Sequence, residues 1–229
     1  MTEIKLKSSV LWEVVDVKLP TKEQLQQALE QRHTKAVQDR LSCAKVAVCG
    51  LGGLGSAIAI ALARAGIGQL HLIDFDRVEL SNLNRQQYSL GQLGMPKPQA
   101  MESEIRRFAP YLKIKTDFVK LTEKNISQLL AGDEFICEAF DAAEQKAMLT
   151  NCVLEQLPQA YLVGASGMAG YADSNAIQTR RITAHYYLCG DGVSEIGEGR
   201  SLMAPRVQIC AAHQANMIIR LILGCEQEA

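Results

Sequence analysis

No two cysteines of this chain stand in a C-x-x-C pair; the seven are scattered at 43, 49, 137, 152, 189, 210 and 225. Odd in number and unpaired, they argue against a disulfide framework and against a structural zinc, and they fit a reducing cytoplasm. Runs of like charge are also missing. The formal net charge is -1, so no strong electrostatic attraction to nucleic acid or anionic lipid is expected. Long apolar runs are absent too. The opening "MTEIKLKSSVLWEVV" has no uninterrupted apolar core behind its basic residues, and later apolar runs are too short or too broken to span a bilayer. Nor is there an internal repeat or a low-complexity tract. The expectation is a soluble, cytoplasmic protein with neither membrane nor nucleic acid as partner.

With 229 residues and 48% hydrophobic composition, the chain can bury the core of one large domain with short additions. Residues 1–40 read as an arm followed by a helix: "KLPT" interrupts a loosely alternating stretch at Pro20, and Thr21 can cap "KEQLQQALEQRH". The domain then occupies 41–229. It starts with the short apolar strand "KVAVC", the glycine turn Gly50–Gly55, the alanine-rich helix "SAIAIALARAG" closed at Gly66, and the strand "QLHLID". That is a parallel crossover unit of about 30 residues. The alternation continues with helix "PQAMESEIRRFAP", strand "KIKTDFV", short helix "NISQLLAG", strand "FICEA", a helix over 144–157, and strand "YLVG". Strands and helices in alternation predict an α/β fold, a Rossmann-like doubly wound, mainly parallel sheet. After Gly170 the pattern changes to an extended ribbon at "NAIQTRRIT", a glycine-rich loop over 190–199 and a final helix ending at Gly224, a C-terminal antiparallel extension.

The turn "GLGGLG" carries G-x-G-x-x-G between a strand and a helix, with an acidic residue, Asp74, about 20 residues further on. Gly50 permits the tight turn, Gly52 and its neighbour Gly53 let a phosphate approach the backbone, and Gly55 lets helix and strand pack closely. Asp74 can hold the ribose hydroxyls of NAD or of ATP alike. The segment "DFDRVELSNLNRQ" favours phosphoryl or adenylyl transfer, which needs cations and amide donors around a phosphate gaining negative charge. Asn82, Arg85 and Gln86 supply donors within one short segment, and Lys97 follows at "GMPKPQ". Arg85 offers a planar fork and Lys97 a mobile point charge.

These residues resemble the ThiF/MoeB/HesA family, related to the ubiquitin-activating enzymes: "GLGGLGS", "DFDRVELSNLNRQ", "GMPK" and the aspartate of "EAFDAAEQK" stand in that family's order and spacing, over about residues 41–164. The resemblance implies an ATP-dependent adenylyltransferase acting on the C-terminal Gly-Gly of a small ubiquitin-like sulfur carrier, most like the short ThiF-type enzymes that serve a ThiS-like carrier for thiamine synthesis. It implies a homodimer. It gives Asp141 the Mg²⁺ that accompanies ATP, with a helix N-cap as the rival role. Arg32, with Arg40 as fallback, resembles the arginine that family dimers lend across the interface, and Cys189 is the candidate thiol to attack the acyl-adenylate, against burial as an inert cysteine. The segment from about 171 would bind the carrier. Because the C-x-x-C pairs of zinc-binding relatives are missing, no structural zinc is expected. His185 and His213 read as structural, and Asp76 as shaping the turn after Asp74. The other readings are relatives that serve another carrier, molybdopterin synthesis, cysteine synthesis or tRNA modification, then an NAD-dependent dehydrogenase and a non-catalytic carrier-binding partner.

Overall fold

The computed structural model describes residues 19–225. The loosely alternating arm expected over the first residues lies, up to residue 18, outside the described residues. From Pro20 onward the chain reads well against its pattern. Thr21 closes a capping box with Gln24 at the start of α1 (Lys22–His33), which satisfies two otherwise orphaned N–H groups.

A second helix, α2 (Lys35–Cys43), follows without a linker. The break between them is Thr34, whose φ of 75° is a left-handed conformation that no helix continues through. Gln38 and Leu41 of α2 are buried. Gln38 donates to Gly66 O at 3.0 Å, and Gly68 N donates to Leu41 O at 3.0 Å. The expected boundary between arm and domain at residue 41 falls inside this helix.

The sheet comprises β1 (Lys45–Cys49), β2 (Gln69–Asp74), β3 (Lys113–Phe118), β4 (Phe135–Glu138), β5 (Tyr161–Ala165), β6 (Gln178–Arg181) and β7 (Tyr186–Gly190). Their order is β3-β2-β1-β4-β5-β7-β6. Every pairing is parallel except β6 with β7. The doubly wound parallel sheet with an antiparallel end is therefore present. The ribbon is wider than its sequence suggested, because β7 joins the parallel sheet beside β5 and only β6 turns back.

Period-2 alternation sorts the strands' side chains onto two faces. Val46 and Val48 of β1 face the larger core, with α3 (Gly53–Ala65), α4 (Lys97–Arg106) and α7 (Ala204–Ile222). Ala47 and Cys49 face the smaller core, with α5 (Ile126–Leu130) and α6 (Ala143–Gln156). Ile58 and Leu62 of α3 are fully buried, each contributing about 1.5–3 kcal/mol. The strand order reverses between β1 and β4. A crevice therefore opens outside their carboxyl ends, the place where open α/β sheets bind ligands. Among the described residues no helix is long and apolar enough to cross a membrane.

Candidate functional site

A cleft of about 790 Å³ occupies that crevice. Gly50, Gly52, Gly53, Asp74, Asn82, Arg85, Gln86, Lys97 and Asp141 all line it. Its floor is the glycine turn between β1 and α3. Gly50 has a φ of +90°, and a Cβ there would lie 2.9 Å from Ala139 O at the end of β4. Gly55 is a packing residue instead: its Cβ would fall 1.8 Å from Gly50 O, and it does not line the cleft. A Cβ on Gly52 would meet only Gln86 Nε2, at 3.9 Å, so the backbone here is open to a ligand. The first turn of α3 has no side-chain cap, which leaves to an anion the N–H groups that a helix start cannot bond internally.

Asp74 ends β2 and is buried. Its carboxylate accepts from Leu51 N at 2.6 Å and from Asp76 N at 2.8 Å. Burial pushes this carboxyl above the ordinary range, against the opposing pull of the Lys97 charge and the two backbone donors. Lys97 is brought beside it by short-range backbone pairing of 76–78 with 94–97, through Val78 N to Met95 O, Gly94 N to Val78 O and Lys97 N to Asp76 O, each 2.9 Å. The ammonium of Lys97 is 2.9 Å from Asp76 Oδ2. Lys97 itself is only 5% exposed.

Asn82 shapes the turn it occupies, its Oδ1 accepting from Glu79 N at 3.1 Å. Arg85 donates from Nη1 to Asn84 Oδ1 at 2.9 Å and to Ser81 O at 3.3 Å. Its Nε is buried and unpartnered, as is Gln86 Oε1. Unsatisfied buried polar atoms are costly, and a polar group entering the cleft here would offset that cost. Asp141 is exposed at the start of α6. The cap of that helix is Ala142, with no side-chain hydrogen bond, so the Asp141 carboxylate is open to the cleft.

Lys146 also lines the cleft, and it reaches from there to a buried partner that the sequence did not single out. Glu138 is buried at the end of β4 and accepts from Lys146 Nζ at 3.0 and 3.1 Å; Lys146 also donates to Ala165 O at 3.0 Å. An acid inside the apolar strand "FICEA" is the signal that could have found this pair, because a buried carboxylate must be partnered. Ser166–Ala169, after β5, and Ser194–Ile196, after β7, form the far wall.

Other expected residues lie elsewhere. Arg32 lines a second cleft of about 630 Å³, with Gly68 and Lys113 at the opposite, amino edge of the sheet. Arg40 donates to Leu223 O at 2.7 Å. Cys189 is fully buried within β7 and does not line the nucleotide-sized cleft. Burial pushes its thiol up to about 11, against a hydrogen bond with Thr179. His185 Nδ1 lies 2.8 Å from Pro158 O and His213 Nδ1 lies 3.1 Å from Thr179 Oγ1, both contacts that tie elements together. Among the described residues, no three His, Cys, Asp or Glu side chains are gathered to cage a metal.

The sequence profile of the ThiF family matches residues 24–229. The molybdopterin-synthase adenylyltransferase of Salmonella typhimurium is 32% identical over 200 residues, which cover 84% of this chain and 78% of that protein. The tRNA threonylcarbamoyladenosine dehydratase of Escherichia coli is 36% identical over 140 residues, 59% of this chain and 50% of that one. Among solved structures, E. coli TcdA, a tRNA N6-threonylcarbamoyladenosine dehydratase crystallised in complex with ATP, superposes with a TM-score of 0.81. It covers 92% of this chain and 99% of that chain at 20% sequence identity, a likeness of fold. The chain belongs to the ThiF family, and through it to the adenylyltransferases.

Proposed function

We propose that this chain transfers AMP from ATP to the C-terminal carboxylate of a small ubiquitin-like sulfur carrier ending in Gly-Gly, of the ThiS type that serves thiamine synthesis. The observation that carries the reading is the gathering of two cations, Lys97 and Arg85, and two orphaned polar atoms over an open glycine turn. A chain-terminal carboxylate is already an anion at neutral pH, so the reaction needs no general base. Its oxygen attacks the α-phosphorus of ATP, the bond to the bridging oxygen of the β-phosphate breaks, and pyrophosphate leaves with that electron pair.

The protein's work is to bring two anions together and to stabilise the charge that builds up on phosphorus. Asp74 takes the ribose hydroxyls, and the start of α3 faces the phosphates. Arg85 Nε and Lys97 Nζ neutralise charge as it develops, Lys97 passing from Asp76 to phosphate oxygens. Asp141 suits Mg²⁺, which is held characteristically by one or two carboxylates together with substrate phosphates; bound there, the ion would neutralise phosphate charge.

The working form in this reading is a cytoplasmic homodimer. Arg32 stands at the opposite edge of its own sheet, so it reaches a nucleotide only in a second copy of the chain. Mixing Arg32→Ala with Asp141→Ala under subunit exchange tests this, since a mixed dimer regains one intact site.

The names of the relatives favour a second reading of the acceptor, a molybdopterin-synthase carrier or a tRNA base. Pyrophosphate exchange into ATP, measured with each acceptor in turn, separates the three. Exchange dependent on the ThiS-type carrier alone is expected; exchange with tRNA alone would refute the carrier reading.

A further inference from the structure

Two charged side chains that this reaction does not consume are nearly sealed from water. Arg206 in the first turn of α7 and Asp191 after β7 are 4% and 6% exposed and lie 2.5 Å apart. Arg206 spends its fork on two chain segments at once. Nη2 binds Asp191 Oδ2, while Nη1 donates to Ala169 O at 2.9 Å. Asp191 in turn accepts from Val193 N at 2.9 Å, from Ser194 N at 2.8 Å and from the Ser194 hydroxyl.

The two segments are also zipped to each other. Ser166 N donates to Cys189 O at 2.8 Å, Asp191 N to Gly167 O at 3.0 Å and Gly192 N to Ser166 O at 3.1 Å. The contact is close enough that a Cβ on Gly167, where φ is +80°, would lie 2.1 Å from Asp191 Oδ1. These segments carry the far wall of the cleft, Ser166–Ala169 and Ser194–Ile196. The nucleotide groups, Gly50, Asp74 and Lys97, stand at the β1–β2 end. What remains for the acceptor is the β5–β7 end, where Ser166, Gly167 and Ala169 offer backbone and small side chains to an extended tail.

Resting on the adenylyl-transfer reading above, we propose that Asp191 and Arg206 are positioning residues for the acceptor: together they clamp the loops after β5 and β7 to α7, and so fix the wall along which a Gly-Gly tail runs to the α-phosphate. A loosened wall leaves ATP in place and misplaces the tail, and small misplacements of a reacting group are costly.

The test uses the full chain with Asp191→Asn, which keeps the shape of the side chain, and Arg206→Lys and Arg206→Met. ATP affinity is measured by direct titration, and the carrier's KM and kcat by pyrophosphate exchange. Trypsin cleavage after Arg200, in the loop held by the clamp, is followed on the free protein. Expected are a carrier KM raised about tenfold or more, unchanged ATP affinity, and faster cleavage, with Arg206→Lys intermediate. Equal losses of ATP affinity and of carrier KM would show a general structural role and overturn the proposal, as would an unchanged carrier KM. Should no carrier support exchange even in the parent protein, the functional reading falls first. Cleavage no faster in Asp191→Asn would then overturn the clamp itself, and faster cleavage would uphold it.

Discussion

Lys97 Nζ is held 2.9 Å from Asp76 Oδ2 at the first residue of α4, the end of a helix where a cation is least favoured. A buried ammonium in that position costs stability, and one half-exposed carboxylate offsets it only in part. An arriving phosphate offers a stronger partner. Lys97→Ala should therefore cost activity far more than stability: pyrophosphate exchange should fall about a hundredfold, as on loss of a preorganised electrostatic group, while the melting temperature moves little because Asp76 rehydrates. Arg85→Ala should behave alike. Exchange at parental rates in either variant would remove that residue from the site.

The cysteines should divide sharply by reactivity. Cys43 and Cys225 are exposed and the other five are buried; burial pushes Cys189 up to about 11 and Cys210 up to about 12. A thiol reagent at pH 8 should titrate two groups quickly in the folded protein and seven after denaturation, because the thiolate is the reactive form. Cys189→Ala should keep its pyrophosphate exchange, since that thiol lies outside the cleft. Rapid modification of Cys189 in the folded protein would contradict both expectations.

A polar knot on the sheet should matter to stability alone. His71 of β2 is 1% exposed; its Nε2 lies 2.7 Å from Asp117 Oδ2 and its Nδ1 lies 2.6 Å from Asp133 Oδ2. His71→Leu strands the buried Asp133 carboxylate, at a cost of about 3–5 kcal/mol, or on the order of 10 °C in melting temperature. Adding Asp133→Asn should recover part of that loss. A melting temperature within a degree or two of the parent would show that the knot is not holding the sheet.

Asp191 gives stability an acid limb. Burial alone would raise its carboxyl, but hydrogen bonds from Arg206, Ser194 and the backbone outweigh that and hold it well below the ordinary range. A depressed folded-state pKa contributes stability that is complete above the unfolded value, about 3.9, and is lost as pH falls from there toward the folded value. In urea unfolding, the advantage of the parent over Asp191→Asn should hold at pH 5–7 and shrink below about pH 4. A constant difference across that range would deny the ion pair.

Local patterns made most of this legible in sequence. The glycine turn, Asp74, Arg85 and Lys97 announce themselves because each sits at an element boundary that the sequence marks: a strand end, a capped turn, a helix start. Pairs joined only by the fold do not. Glu138 meets Lys146 eight positions on, and Asp191 meets Arg206 fifteen on; no periodicity links them. The start of α2 was hidden because Thr34 breaks the helical run with a left-handed φ that threonine rarely adopts. Arg32 shows the same limit: its helix is readable, but the edge of the sheet against which that helix lies is a tertiary fact.

Adenylyl transfer by this chain is read out by the intact mass of a Gly-Gly-ended carrier incubated with the protein, ATP and Mg²⁺, with pyrophosphatase drawing the reaction forward. The expected product is a carrier heavier by one AMP, with the adduct on its terminal carboxylate, and no adduct when that carboxylate is converted to an amide. An unmodified carrier of the ThiS type together with ATP cleaved to ADP, or an adduct that survives on the amide, would contradict this reading.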